Sequence, residues 1–186
     1  PTRPLPMQVS RLRSIISSRA VRVAVLLAAT VLVYSNALTG PFLFDAAGLV
    51  MDDSRIANGD VRGIVTQDYW GTRFASGLYR PIVTASFAVN YAMLGEVPNG
   101  YHVTNLVLHL VAVLLLYWWL PGRVAFWAAL LWAVHPLNTE AVTNIAGRSD
   151  LLGGIFVLAG ALVYGKIRAG STVPVFGGTK RLLILL

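Results

Sequence analysis

Residues 103–134 read VTNLVLHLVAVLLLYWWLPGRVAFWAALLWAV, two apolar runs separated only by Pro121-Gly122-Arg123. So short a turn between two runs of this kind makes an antiparallel helical hairpin inside a membrane. The first run, Val103 to Leu120, carries Trp118 and Trp119 at its end, aromatics that favour the membrane–water boundary. The second, Val124 to Val134, has only 11 residues. It must tilt, sit in a thinned bilayer, or continue through His135 and Pro136 inside a cavity lined by protein.

Working outward, Ile145 to Tyr164 makes a further span that closes on Gly165-Lys166-Ile167-Arg168. Upstream, Val21 to Leu38 makes the first span. Its 18 residues, with Arg22 snorkelling back to the headgroups, rise about 27 Å as a helix. A cleaved signal peptide is the rival reading of this segment, since its basic start, apolar core and Ser35-Asn36-Ala37 match that pattern too. The fold class expected is therefore an all-α polytopic membrane protein with about four transmembrane helices.

Composition agrees. Of 186 residues 56% are hydrophobic and 12% charged, and the mean hydropathy is +0.66, whereas a soluble domain carries roughly 25% charged residues. That balance excludes a soluble globular domain, and so apolar a chain cannot remain disordered in water. The absence of cysteine excludes disulfide scaffolds, thiolate metal sites and cysteine nucleophiles from these residues. A formal charge of +7 would point to nucleic acid in a soluble protein, but among membrane spans the placement of charge carries the meaning, and no nucleic-acid partner is expected.

The placement is one-sided. With the amino terminus in the cytoplasm, Arg3, Arg11, Arg13, Arg19, Arg22, Arg123, Lys166, Arg168, Lys180 and Arg181 fall inside without a single acid. All 8 acids, from Asp45 to Asp150, fall outside. The excess of basic residues near the inner membrane ends fixes the orientation. The expected organisation is a basic cytoplasmic terminus over 1–22, the first span over 21–38, an outer loop over 39–100, three further membrane helices over 103–164, and a cytoplasmic turn with the start of another span over 165–186. The chain opens without methionine and closes on Arg181-Leu182-Leu183-Ile184-Leu185-Leu186, so a stretch of a larger protein is expected.

The outer loop is too long to be a connector and should contain structure of its own. Pro81 suits the first position of a helix, with Val83, Phe87, Tyr91 and Leu94 along an apolar stripe and Gly95 as its stop. A helix near 81–94 is too short to span and should lie in the interface. Asn58-Gly59-Asp60 marks a turn, and Tyr69, Trp70, Phe74 and Tyr79 suit headgroup depth. Asp52, Asp53, Asp60 and Asp68 read as solvated or capping residues. Asp45 differs, because it follows Gly40-Pro41-Phe42-Leu43-Phe44 directly after the first span. A carboxylate at the membrane surface among aromatics would have its pKa raised by burial, and is a candidate general base.

Polar residues also recur at membrane depth. His102, Asn105 and His109 share one face of the second span, which reads either as a hydrogen-bonded seam or as the wall of a polar cavity. Between the last two spans, Glu140, Asn144 and Arg148 are spaced along one side of a helix, with His135 before them and Asp150 after. Ionised groups near a membrane must pair or bind something, so a Glu140–Arg148 salt bridge and a bound ligand are both open. A divalent metal on His135, Glu140 and Asp150 is possible, although the spacing is not that of HExxH.

Gly40-Pro41-Phe42-Leu43-Phe44-Asp45, Tyr79-Arg80-Pro81, Gly100-Tyr101-His102-Val103-Thr104-Asn105 with His109, and His135-Pro136-Leu137-Asn138-Thr139-Glu140 with Gly147-Arg148-Ser149-Asp150 occur in that order. Together they resemble the membrane part of the transmembrane and tetratricopeptide-repeat O-mannosyltransferases and their bacterial relatives. The likeness departs at Ala46, where the family's first-loop motif has a second acid, and at Asn138, where the later motif has a second histidine.

The resemblance implies a C-superfamily glycosyltransferase that moves a sugar, mannose by family, from a polyprenyl-phosphate donor to an acceptor hydroxyl on protein Ser or Thr, at the outer or lumenal face. Asp45 would be its base. Arg80 and Arg148 would stabilise the departing phosphate, and His102 and His135 would orient phosphate or acceptor. Asn105, His109, Glu140 and Asp150 would complete the binding region. Membrane lipid is the remaining partner, a bacterial plasma membrane is expected in preference to the endoplasmic reticulum, and this stretch alone is expected to be inactive. Two rival readings stand beside it: a non-catalytic membrane anchor for a tetratricopeptide-repeat scaffold, and part of a transporter with a midplane site.

Overall fold

In the computed structural model, residues 18–73, 75–122 and 124–170 are described. The expectations placed on Arg3, Arg11, Arg13, Phe74, Arg123, Lys180, Arg181 and the final apolar run lie outside them. The described residues form helices and turns with no strand. Helix α1 spans Arg19–Tyr34 and is extended by a 3-10 turn over Ser35–Thr39. The short helices α2, Ser54–Asn58, and α3, Val61–Thr66, lie in the outer loop, and α4 follows over Pro81–Leu94. Beyond them come α5, Pro98–Trp119, α6, Val124–Ala133, α7, Thr139–Thr143, and α8, Arg148–Gly170.

Among the described residues three segments are long and apolar enough to cross a membrane, Arg19–Thr39, Pro98–Trp119 and Ile145–Arg168. The third expected span, α6, has 10 residues and rises about 15 Å, half a bilayer core. It is accommodated by close packing. Ala125, Ala129 and Ala133 are buried at successive turns of α6, where small side chains let the backbones of α1 and α5 approach. Leu26 of α1 and Val113 and Tyr117 of α5 fill this seam. Gly122, at φ 65, makes the left-handed turn of the α5–α6 hairpin, a conformation glycine adopts without steric cost.

Helix α5 is the central post, with α8 and α6 packed along it. Its amino-terminal end joins the loop through a second cluster that includes Leu49, Val50, Ile56, Tyr69, Phe87, Tyr101 and Ile145. The loop is therefore a folded cap on one end of the bundle. Arg55, only 4% exposed, organises it. Its guanidinium bridges to Asp53 at 2.6 Å and donates to the carbonyls of Asp68 at 2.9 Å and Tyr69 at 3.0 Å.

The loop acids are structural, in agreement with their sequence reading. Asp53 and Asp60 cap α2 and α3, and Asp52 pairs with Arg73 at 2.7 Å. Asp68 gathers the Trp70 amide, the Ser76 hydroxyl and the Gly77 amide. Gly59, at φ 62, ends α2 as a left-handed cap.

Helix α4 has the bounds expected, with Pro81 in its first turn and Gly95 at its end. Its inner face is different. Val83 and Phe87 are buried, but Leu94 is exposed and Asn90 takes the inner position. The reason is a polar partner, because Asn90 Nδ2 donates to Thr104 Oγ1 of α5 at 2.9 Å.

Candidate functional site

The polar residues predicted in the membrane segments separate into a buried seam and an exposed rim. On α5, His102, Asn105 and His109 do share one face, and all three are buried. His102 Nε2 donates to the Gly40 carbonyl at 3.1 Å, joining α5 to the end of the first span. His109 Nε2 donates to the Ala133 carbonyl at 3.0 Å, its ring set edge-on to Tyr34 and tilted against Trp132. A carbonyl acceptor fixes the tautomer with the proton on Nε2. Asn105 Nδ2 donates to the Asn144 carbonyl at 2.9 Å, and its Oδ1 accepts from Arg148 Nε at 2.9 Å.

Arg148 corrects an expectation. Glu140, Asn144 and Arg148 do not lie along one helix, because Asn144 is extended, with ψ 125, and the 3-10 turn Ile145–Gly147 separates α7 from α8. Gly147 makes the break possible. A Cβ there would stand 2.6 Å from the Glu140 carbonyl oxygen and 2.7 Å from that of Ala141, closer than van der Waals contact allows. Arg148 consequently points into the bundle and is 0% exposed. Besides Asn105 it donates to the Ser86 carbonyl at 3.2 Å and the Tyr101 carbonyl at 3.2 Å, with its guanidinium 4.5 Å from the Phe87 ring centre. Among the described residues no acid pairs with it. This one side chain ties α8 to α4 and α5.

The exposed rim holds Asp45, His135, Glu140 and Asp150, with Arg80 half-buried. Asp45 follows Phe44, a non-glycine residue at φ 52 that is 89% exposed. That backbone is uncommon for a bulky side chain, and such strain concentrates at functional turns. Asp45 is exposed rather than enclosed by aromatics, because Phe44 turns outward while Phe42 packs edge-on against Tyr101. Near it lies Tyr69, whose ring sits 5.1 Å from the Arg80 guanidinium. Burial pushes the Tyr69 hydroxyl pKa up, the positive charge of Arg80 pulls it down, and the charge of Asp45 raises it again.

Two clefts open on this rim. One, of about 290 Å³, lies between the starts of α4 and α8 and is lined by Tyr79, Arg80, Ser149 and Asp150 with apolar neighbours. The other, of about 400 Å³, lies beneath the Gly40–Phe44 turn and is lined by His102, Glu140, Thr143 and Asn144. The structure thus brings Arg80 together with Asp150, and His102 with Glu140. His135 lies outside both clefts, with its Nδ1 accepting from the Leu137 amide and its carbonyl accepting from Tyr34. Among the described residues no three side chains of His, Asp or Glu come together as a metal-ligand set.

Sequence reasoning missed Ser86, Tyr101 and Tyr69. The first two accept from Arg148 through backbone carbonyls, which carry no residue-type signal, and Ser86 also through its hydroxyl at 3.4 Å. Tyr69 stood out only as an interfacial aromatic.

Three relatives carry the comparison. A protein O-mannosyl-transferase of Caenorhabditis elegans is 35% identical over 77% of this chain and 23% of its own length. Protein O-mannosyl-transferase Tmtc1 of Drosophila melanogaster is 41% identical over 63% of this chain and 16% of its own. Human protein O-mannosyl-transferase TMTC3 is 34% identical over 70% of this chain and 15% of its own. The chain therefore spans less than a quarter of the length of each. No protein-family model and no solved structure matches. All three relatives are animal proteins, so they lend no support to a bacterial membrane over that of the endoplasmic reticulum.

Proposed function

This chain belongs to the transmembrane O-mannosyl-transferase family of those relatives, and on that premise we propose that it supplies the donor-side rim of a membrane glycosyltransferase. The enzyme moves mannose from a polyprenyl-phosphate carrier to a protein Ser or Thr hydroxyl at the outer or lumenal face. Of the described residues, 39–73, 75–100 and 135–150 lie on that face, and 18–22, 121–122 and 165–170 on the cytoplasmic one. The observation that carries the reading is the exposed Asp45 on its strained turn beside Phe44, a residue that lines the Glu140 cleft, although Asp45 itself lines neither that cleft nor the Arg80 cleft.

In this mechanism the Asp45 carboxylate accepts the proton of the acceptor hydroxyl as that oxygen attacks the anomeric carbon. The bond from that carbon to the phosphate oxygen breaks with inversion, and polyprenyl phosphate leaves with the electron pair. Phosphate needs no protein acid to depart, so a cation that holds its charge supplies the other half of catalysis. Arg80 fills that role, since its guanidinium faces a cleft. Asp150, His135 and Glu140 shape the binding region. Arg148, His102, Asn105 and His109 act as positioning residues that hold the rim elements against α5. Among the described residues His135, Glu140 and Asp150 do not come together as a ligand set.

A second reading, a non-catalytic anchor for a repeat scaffold, is favoured by the seam itself, in which His102, His109, Asn105 and Arg148 are buried and bond between helices. Sugar transfer by the full-length protein with polyprenyl-phosphate mannose and a Ser/Thr peptide separates the two. Transfer that depends on Asp45 supports the enzyme, and a folded protein without transfer supports the anchor.

A further inference from the structure

At the end of the bundle remote from Asp45 lies a larger hollow, of about 500 Å³, that no part of the proposed reaction uses. Its position follows from chain direction. Helix α1 starts there and ends beside His102, α5 ends there, and α8 ends there after starting beside Tyr101. The hollow is lined by three cations, Arg19, Arg22 and Lys166, and by Tyr117, Trp118 and Leu162. Among the described residues none of the three cations has an acidic partner, and no acid occurs in the sequence within this end of the bundle.

Three like charges around one concavity repel one another and favour an anion between them. The apolar part of the lining narrows what that anion is. Trp118 is half-exposed beside a buried Tyr117, the arrangement of side chains that sit at headgroup depth, and Leu162 adds an apolar side chain from α8. Basic pockets between membrane helices at the cytoplasmic boundary receive phosphate headgroups. We infer that Arg19, Arg22 and Lys166 form a binding site for the phosphate of an anionic membrane phospholipid, with Trp118 at the headgroup–acyl boundary and the acyl chains running along α8. The site is distinct from the donor rim and does not depend on the proposed transferase activity.

The test uses the full-length protein in phosphatidylcholine nanodiscs with and without phosphatidylglycerol. Bound lipid is read by native mass spectrometry, and affinity by titrating the lipid against thermal stability. Phosphatidylglycerol should be retained in preference to phosphatidylcholine. Arg22→Gln and Lys166→Gln should each weaken its binding roughly fivefold, while Arg62→Gln, on an exposed cation of the outer loop, should leave it unchanged. Each single substitution leaves the other basic residues of the membrane ends in place to hold the orientation. Equal retention of both lipids overturns the proposal, as does undiminished binding in both single variants. Competition by inorganic phosphate or glycerol phosphate at concentrations matching the lipid overturns the lipid assignment.

Discussion

Arg148 Nε donates to Asn105 Oδ1 at 2.9 Å across 43 residues of chain, in a site where the arginine is 0% exposed. Buried guanidinium with neutral acceptors is an uncommon arrangement near a membrane. Its charge is held by carbonyl dipoles, an amide oxygen and two aromatic faces instead of a carboxylate. Breaking one part of such a set leaves the rest buried and unsatisfied.

Arg148→Ala should therefore act on stability first, costing about 1–3 kcal/mol for each buried acceptor left unpaired. Arg148→Lys should recover little of it, because a point charge cannot reach Asn105, Ser86 and Tyr101 together. Asn105→Ala should cost about 1–3 kcal/mol and couple with the arginine in a double-mutant cycle. Glu140→Gln and Asp150→Asn should not rescue Arg148→Ala. Thermal unfolding in detergent reads all of these, and rescue by either acid substitution would restore the ion-pair reading. A stably folded Arg148→Ala protein with weakened donor binding would return the residue to the phosphate.

Asp45→Asn should leave folding untouched, since the side chain is exposed and keeps its size. Transfer should fall by about a hundredfold to ten-thousandfold, the usual contribution of a general base. Single-turnover transfer with a saturating donor measures the step itself. Near-normal turnover would remove Asp45 from the chemistry.

Much of this was legible in the sequence, and the boundary between what was and was not is physical. The hairpin at Pro121-Gly122, the helix starting at Pro81 and the caps at Asp53 and Asp60 depend on local chemistry that each residue carries with it. The shared face of His102, Asn105 and His109 follows from helical periodicity. The extension of one helix from Glu140 to Arg148 failed because periodicity assumes a continuous backbone. The break at Asn144 and Gly147 is fixed by packing between α7 and α8 that no local rule contains. In the same way Asn90 displaced Leu94 from the inner face of α4 because Thr104, on another helix, offered it a hydrogen bond.

The outer cap should weaken in acid through Asp68. The Ser76 hydroxyl, then the Trp70 and Gly77 amides, hold its pKa below the usual aspartate value. A carboxyl whose folded pKa is depressed contributes stability that is fully present above the unfolded value, about 3.9, and is lost as pH falls through the folded one. Asp68→Asn should therefore lower the unfolding temperature at neutral pH, and its difference from the parent should shrink towards zero as the pH drops below about 4. A difference that stays constant across this range would mean that the amide serves as well as the carboxylate.

Ala129 tests how so short a helix as α6 is held. The residue is fully buried between Ala125 and Ala133, where α6 meets α1 and α5. Ala129→Leu should push α1 away and cost about 1–3 kcal/mol, whereas Leu131→Ala, on the exposed face, should cost little. Equal effects would mean that lipid contact, and not the alanine seam, holds the helix.

The orientation can be read directly, because this chain contributes no native cysteine to a labelling background. Ser54 lies on the outer cap and Thr139 at the start of α7, both exposed, while Pro121 is exposed in the α5–α6 turn. The inner membrane ends carry only basic residues, which translocate poorly, and the acids lie beyond the opposite ends of the spans. In a cysteine-free full-length protein, Ser54→Cys and Thr139→Cys should react with an impermeant maleimide from the outer or lumenal side. Pro121→Cys should react only after the membrane is opened. Because α6 is shorter than the bilayer core, Thr139 is the discriminating position. Labelling of Thr139→Cys together with Pro121→Cys would mean that α6 dips into the membrane and returns without crossing. Glu140 and Asp150 would then face the cytoplasm, separated from Asp45, and the shared rim would be lost.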